Sequence, residues 1–68
     1  MPIQMHPVES KAVSHQGYDP ETKTLRVCYQ NGGIYEASVE PEEYHALMAA
    51  DSFGRHLNAT FRLRMVPA

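Results

Sequence analysis

The stretch Thr24–Val39, TLRVCYQNGGIYEASV, limits what this chain can fold into more than any other segment. Two runs rich in β-branched and aromatic residues flank Asn31-Gly32-Gly33, which is the composition of an antiparallel β-hairpin. Side chains on a strand alternate between faces, so the register can be tested against the pattern. With a three-residue loop at 31–33, Tyr29 faces Tyr35, Val27 faces Ala37 and Leu25 faces Val39. One face then collects Leu25, Val27, Tyr29, Tyr35, Ala37 and Val39, while Arg26, Cys28, Gln30, Ile34, Glu36 and Ser38 share the other. A two-residue Asn31-Gly32 turn would set Val27 against Glu36 and mix the faces. The three-residue loop is therefore expected, with Gly33 in the left-handed position of a type I turn plus bulge. Both tyrosines are expected with the core, and Cys28 on the opposite face.

The flanks extend the hairpin into a meander. Lys11–Tyr18 reads as a preceding strand, joined to Thr24–Gln30 through the turn Asp19-Pro20-Glu21-Thr22-Lys23, in which proline presets φ and aspartate bonds the following backbone. Pro41 opens a helix at its first position, where a missing N–H costs nothing. Tyr44, Leu47 and Met48 share one helical face. Asp51-Ser52 ends that helix and caps a second, expected over about 52–59, with Phe53, Leu57 and Phe61 as its apolar stripe. Phe61–Met65 alternates like a strand, which leaves the last residues open between helix, strand and coil. The expected fold is α+β: a three-stranded antiparallel β-meander followed by two short helices packed on one sheet face. Residues 1–7, with two prolines, read as a flexible lead-in to a single domain over residues 8–68.

Size and charge restrict function. Sixty-eight residues allow one small core, and a domain of this size buries roughly 60% of its unfolded surface. The single cysteine cannot form an internal disulfide. The first residues lack a signal-peptide pattern and no apolar run is long enough for a membrane span, so a cytoplasmic protein, cellular or phage-borne, is expected. Residues 1–51 hold all eight acids against Lys11, Lys23 and Arg26, a net of −5, whereas 52–68 hold Arg55, Arg62 and Arg64 with no acid, a net of +3. Such a basic end suits phosphate or an acidic partner, unless these arginines pair with the chain's own carboxylates.

Catalytic constellations are poor. Cys28 has no neighbouring base and reads as a small apolar filler. His6, His15, His45 and His56 are scattered without metal-ligand spacing. Glu42 and Glu43 diverge by about 100° on a helix and favour its dipole rather than forming an acid–base pair. There is neither a phosphate-binding glycine loop nor a nucleophile elbow. No catalytic residue, metal or cofactor is assigned, and a non-enzymatic protein is expected.

The order of features resembles the KTSC domain, a short bacterial and phage module also found at the C-terminus of some lysyl-tRNA synthetases. The resemblance rests on Gly17-Tyr18-Asp19-Pro20-Glu21-Thr22-Lys23-Thr24-Leu25 and Asn31-Gly32-Gly33-Ile34-Tyr35. It continues through Pro41, Tyr44, Leu47, Ala49-Ala50, Ser52, Gly54-Arg55, Asn58 and Arg62, and so covers about residues 8–65. It implies a compact α+β domain and the RNA binding usually suspected of the family. Three positions depart from the pattern: Ala37 stands where a second tyrosine of a Tyr-x-Tyr pair is usual, Gln16 where an apolar residue is common, and the family's usual terminal tyrosine is absent near Met65.

Two functional readings result. One is a nucleic-acid-binding module that uses Arg55, His56, Asn58, Arg62 and Arg64, with the free N–H groups near Ser52–Arg55 open to a phosphate and Gly54 allowing close approach unless it serves helix packing. The other is an adaptor that binds a host protein through the sheet face bearing Arg26 and Ile34. A monomer or a weak homodimer fits either reading, since a three-stranded sheet leaves open edges.

Overall fold

The computed structural model describes residues 3–68. The expected meander forms its centre: β2 (Val13–Asp19), β3 (Thr24–Tyr29) and β4 (Ile34–Ser38) pair antiparallel in sequence order. Two further strands of two residues each extend it to five. Within the segment read as a lead-in, β1 (His6–Pro7) pairs with Gln16 and His15, and β5 (Val66–Pro67) pairs with Tyr35 and Glu36. Strands this short carry no readable alternation, and proline at each edge withholds a ladder donor. The edges of the meander are thereby covered, and the outer edges are blunt.

The hairpin departs from the expected register by two residues. Cys28 faces Ile34, Val27 faces Tyr35, Arg26 faces Glu36 and Leu25 faces Ala37. The turn is of the expected kind but lies one residue earlier, over Gln30-Asn31-Gly32. The Gly32 N–H donates to Tyr29 O at 2.9 Å, and the Tyr29 N–H donates to Gly33 O at 2.8 Å. Gly32, rather than Gly33, takes the positive φ of 92°. The Asn31 side chain secures this choice by accepting the Gly33 N–H at 2.9 Å, the Asx geometry of a type I turn. A slip of two preserves the alternation, so both face assignments stand.

A bulge at Ser14 corrects the phase of β2. Val13 faces Tyr29, but the pairing then steps so that Gln16 faces Val27 and Tyr18 faces Leu25. The extra residue lets Val13, Gln16 and Tyr18 all point toward the helices. Ser14 Oγ donates to Cys28 O at 3.1 Å across the irregular ladder. Gln16, a departure from the family pattern, is buried and accepts from the Tyr44 hydroxyl at 3.1 Å. The Tyr44 ring stacks on Tyr18 at 4.3 Å, and the Tyr18 hydroxyl donates to Val39 O at 2.7 Å.

Both helices cover one face of the sheet. In α1 (Pro41–Ala49), Pro41 occupies the first turn and the Glu40 N–H donates to Glu43 Oε1 at 3.1 Å. Leu47 is buried and Tyr44 packs against the core, but Met48, expected on the same face, stays about half exposed and outside the core. Ser52 caps α2 (Phe53–Phe61), its Oγ accepting the Arg55 N–H at 3.3 Å. The stripe Phe53, Leu57 and Phe61 closes the core over Val13, Leu25, Val27, Ala37, Val39 and Leu47. A 3₁₀ turn over Arg62–Arg64 follows and returns the chain to β5.

Candidate nucleic-acid interface

The helix-covered face is not covered to its end. α2 stops short of the tip of the β3–β4 hairpin, and a cleft of about 390 Å³ remains there, lined by Tyr29, Asn31, Tyr35, Asn58, Arg62 and Met65. The two tyrosine rings meet edge to face at 5.5 Å. Both lie on the expected face, but each is only half-buried, and Tyr35 is not part of the core. Burial, and secondarily the Tyr35 hydroxyl nearby, raises the Tyr29 pKa, so its phenol stays protonated and able to donate. The cleft therefore offers two aromatic surfaces, two carboxamides and one guanidinium.

Of the five residues proposed from the basic C-terminal segment, the fold brings Asn58 and Arg62 into this cleft. Arg55 lies two turns back on α2, exposed, and like Arg62 it forms no ion pair among the described residues. His56 is half-buried and turns away, its ring centroid 6.3 Å from that of Phe61. Arg64 is withdrawn from the patch. Its guanidinium binds Glu43 with two hydrogen bonds of 2.9 and 2.8 Å and lies 5.0 Å from the centre of the Phe61 ring. These contacts and the Glu40 N–H hold the Glu43 carboxyl below its usual range. One of the three arginines thus pairs with the chain's own acids, as the alternative reading of the charge asymmetry anticipated.

The helix N-terminus near Ser52 is less open than the sequence suggests. The Ser52 hydroxyl and carbonyl oxygens already take the Arg55 and His56 N–H groups. A Cβ at Gly54 would stand 2.9 Å from Ser10 Oγ, so this glycine admits the loop before β2. The atoms nearest that Cβ belong to Ser10 and Ala12 of this loop, not to the other helix.

On the uncovered face, Arg26 and Ile34 do fall together, in a shallow depression of about 500 Å³ with Met5, His15, Cys28 and Ala68. Arg26 is held by its cross-strand neighbour, Nε donating to Glu36 Oε2 at 2.7 Å. Ile34 is about half exposed. No cluster of three histidine, cysteine or acidic residues suited to a metal occurs among the described residues. No helix among them is long and apolar enough to cross a membrane.

Tyr29, Asn31, Tyr35 and Met65 were not evident from periodicity as cleft residues, because alternation reports a face and not how far a helix extends over it. The readable signal was position: both tyrosines flank the turn, at the end of the sheet farthest from the β4–α1 connection.

Among the described residues, a small five-stranded antiparallel sheet with two helices on one face and a polar, aromatic cleft at one end defines a single α+β domain. Residues 9–64 match the KTSC domain, and the chain belongs to that family. An uncharacterized protein of Stutzerimonas stutzeri (strain A1501) is 41% identical over 56 residues, covering 81% of this chain and 79% of its own length. A protein of Tsukamurella paurometabola is 39% identical over 61 residues, covering 88% and 91%. The crystal structure of a KTSC domain protein from Yersinia pestis superposes with a TM-score of 0.80 at 29% identity, over 96% of this chain and 93% of that one.

Proposed function

We propose that this KTSC domain is a non-enzymatic module that binds single-stranded RNA at the cleft between the hairpin tip and the end of α2. The observation that carries the reading is Arg62, a guanidinium free of acidic partners among the described residues, placed beside the Tyr29 and Tyr35 rings and the Asn31 and Asn58 amides. Single-stranded recognition combines ring surfaces for unstacked bases with cations for the backbone, and carboxamides can read a base edge. The cleft supplies all three groups, and nothing in it resembles a nucleophile activated by a base. The blunt, proline-bearing sheet edges support a monomer as the binding unit.

The chain has four tyrosines and no tryptophan, and two of the four, Tyr29 and Tyr35, line the cleft, so part of the tyrosine fluorescence reports on the cleft without a label. Titration with a short single-stranded RNA at low salt is expected to quench it. Tyr35→Ala is expected to weaken binding by about 1–3 kcal/mol, the usual loss for a stacking aromatic, and Arg62→Ala to weaken it and flatten its salt dependence. Absence of quenching and of any anisotropy change at low salt would remove the reading.

A second reading, a protein-binding adaptor, rests on the depression formed by Met5, Cys28 and Ile34 on the open sheet face. Ile34→Asp would abolish capture of a host protein if that face were the functional one, while leaving RNA binding at the cleft intact.

A further inference from the structure

Arg62 and Arg55 are seven residues apart, and the backbone of Arg62 is still α-helical (φ −52°, ψ −44°). Seven residues make almost two full turns and a rise of roughly 10 Å, so both arginines lie on one stripe of α2. Asn58 and Ala59 occupy the positions between them, and all four residues are exposed. The chain carries no acid from residue 52 onward, and neither arginine is neutralised by a carboxylate among the described residues. The stripe is bounded at both ends. The hairpin tip closes it beyond Arg62, and Asp51 borders the hollow beside Arg55, where its carboxylate repels a further phosphate.

We infer that the RNA lies along this stripe as a short track, with a base at Tyr29 and Tyr35, one phosphate at Arg62 and a second at Arg55, and that contact ends there. The inference rests on the cleft reading above and adds a length, a path and a second phosphate. Asn58 lies between the two cations with its amide free to meet sugar or base edges. The small Ala59 side chain leaves the backbone room to pass. Arg64, committed to Glu43, takes no part.

A ladder of single-stranded RNAs from a dinucleotide to a hexanucleotide, titrated against the full chain at several salt concentrations, tests this. Affinity is expected to rise up to a tri- or tetranucleotide and then level off. The slope of log K against log salt for a single strand is about −0.7 per phosphate contact. The tetranucleotide should therefore give roughly −1.4 and Arg55→Ala roughly −0.7. Arg55→Ala should leave dinucleotide binding unchanged and weaken the tetranucleotide several-fold, and Arg55→Lys should restore most of the salt slope. Arg55 is exposed and outside the core, so thermal melting of Arg55→Ala should match that of the wild type. If Tyr35→Ala and Arg62→Ala abolish binding but Arg55→Ala leaves the tetranucleotide slope unchanged, the track is wrong and the cleft stands. Affinity that keeps rising at the hexanucleotide also overturns the track. If no RNA of any length binds, both readings fall.

Discussion

The two glycines of the hairpin give opposite predictions in the two registers, so a pair of alanine substitutions reads the register directly. Gly32 holds φ at 92° with open space where a Cβ would stand. For an alanine the cost there is conformational, about 1–2 kcal/mol for the left-handed region. It is partly offset by about 0.4–1 kcal/mol, because alanine restricts the unfolded chain. The net is a loss near 1 kcal/mol, or about 4–8 °C in Tm for a domain of this size. Gly33 has no positive φ. Its Cβ would lie 3.1 Å from Tyr35 Cε1 and 3.2 Å from Asn31 Oδ1, close contacts with side chains that border an open cleft and can yield. Steric cost and unfolded-state gain then nearly cancel, leaving Gly33→Ala within about 0.5 kcal/mol of the wild type. Urea unfolding followed by far-ultraviolet circular dichroism should show a lower midpoint for Gly32→Ala, an unchanged slope, and little change for Gly33→Ala. Gly32→Asn should recover part of the loss, since asparagine tolerates the left-handed region. A larger loss at Gly33 than at Gly32 would place the turn over 31–33 and refute the register described here.

Phe61, the last residue of α2, is fully buried with the Arg64 guanidinium over its ring, so Phe61→Ala should cost about 3–5 kcal/mol; for a chain this small that approaches the whole stability, and the thermal transition should broaden or vanish. Ser52→Ala removes the side-chain cap of α2 and should cost about 1 kcal/mol, read as a shift in Tm with the cleft's RNA affinity preserved. The Glu43 carboxyl titrates below its unfolded value because Arg64 and the Glu40 N–H favour its ionised form. Its contribution is therefore present above the normal carboxylate range and is lost as pH falls through the lowered value. Acid unfolding of Glu43→Gln should lack that component, while the two proteins should differ by a constant amount near neutral pH.

Patterns that repeat along the chain were legible in the sequence, and features decided by a single residue or by distance were not. The period-two runs gave the meander and both its faces correctly even though the register slipped by two, because alternation is insensitive to an even shift. Choosing between Gly32 and Gly33 required the Asn31 side-chain bond to the Gly33 N–H, which composition does not reveal. The stripe Phe53, Leu57, Phe61 was readable for the same periodic reason and is buried as expected. The outer strands escaped because two residues and a proline leave no pattern. The arginines could be counted but not sorted: Arg64, in the 3₁₀ turn, meets Glu43 of α1 only in the folded chain, a contact between residues twenty-one positions apart.

The same slip of two residues shapes the candidate site. In the expected register Tyr29 and Tyr35 would have been direct cross-strand partners. In the observed one Tyr35 faces Val27, and the Tyr29 N–H donates to the Gly33 carbonyl on the opposing strand. The residue opposite Tyr29 thus has no side chain, and the Tyr35 ring, 3.1 Å from where a Gly33 Cβ would be, leans across that gap to meet Tyr29 edge to face at 5.5 Å. A diagonal pair of this kind splays the rings instead of filling the space between strands with a close-packed couple. Asn58 of α2 and Arg62 of the following 3₁₀ turn form the opposite wall of the opening. The aromatic pair therefore follows from a glycine opposite a tyrosine, and Ala37, where the family pattern has its second tyrosine, lies buried in the core rather than at the cleft. Loss of that tyrosine leaves the cleft's own aromatic pair, Tyr29 with Tyr35, intact.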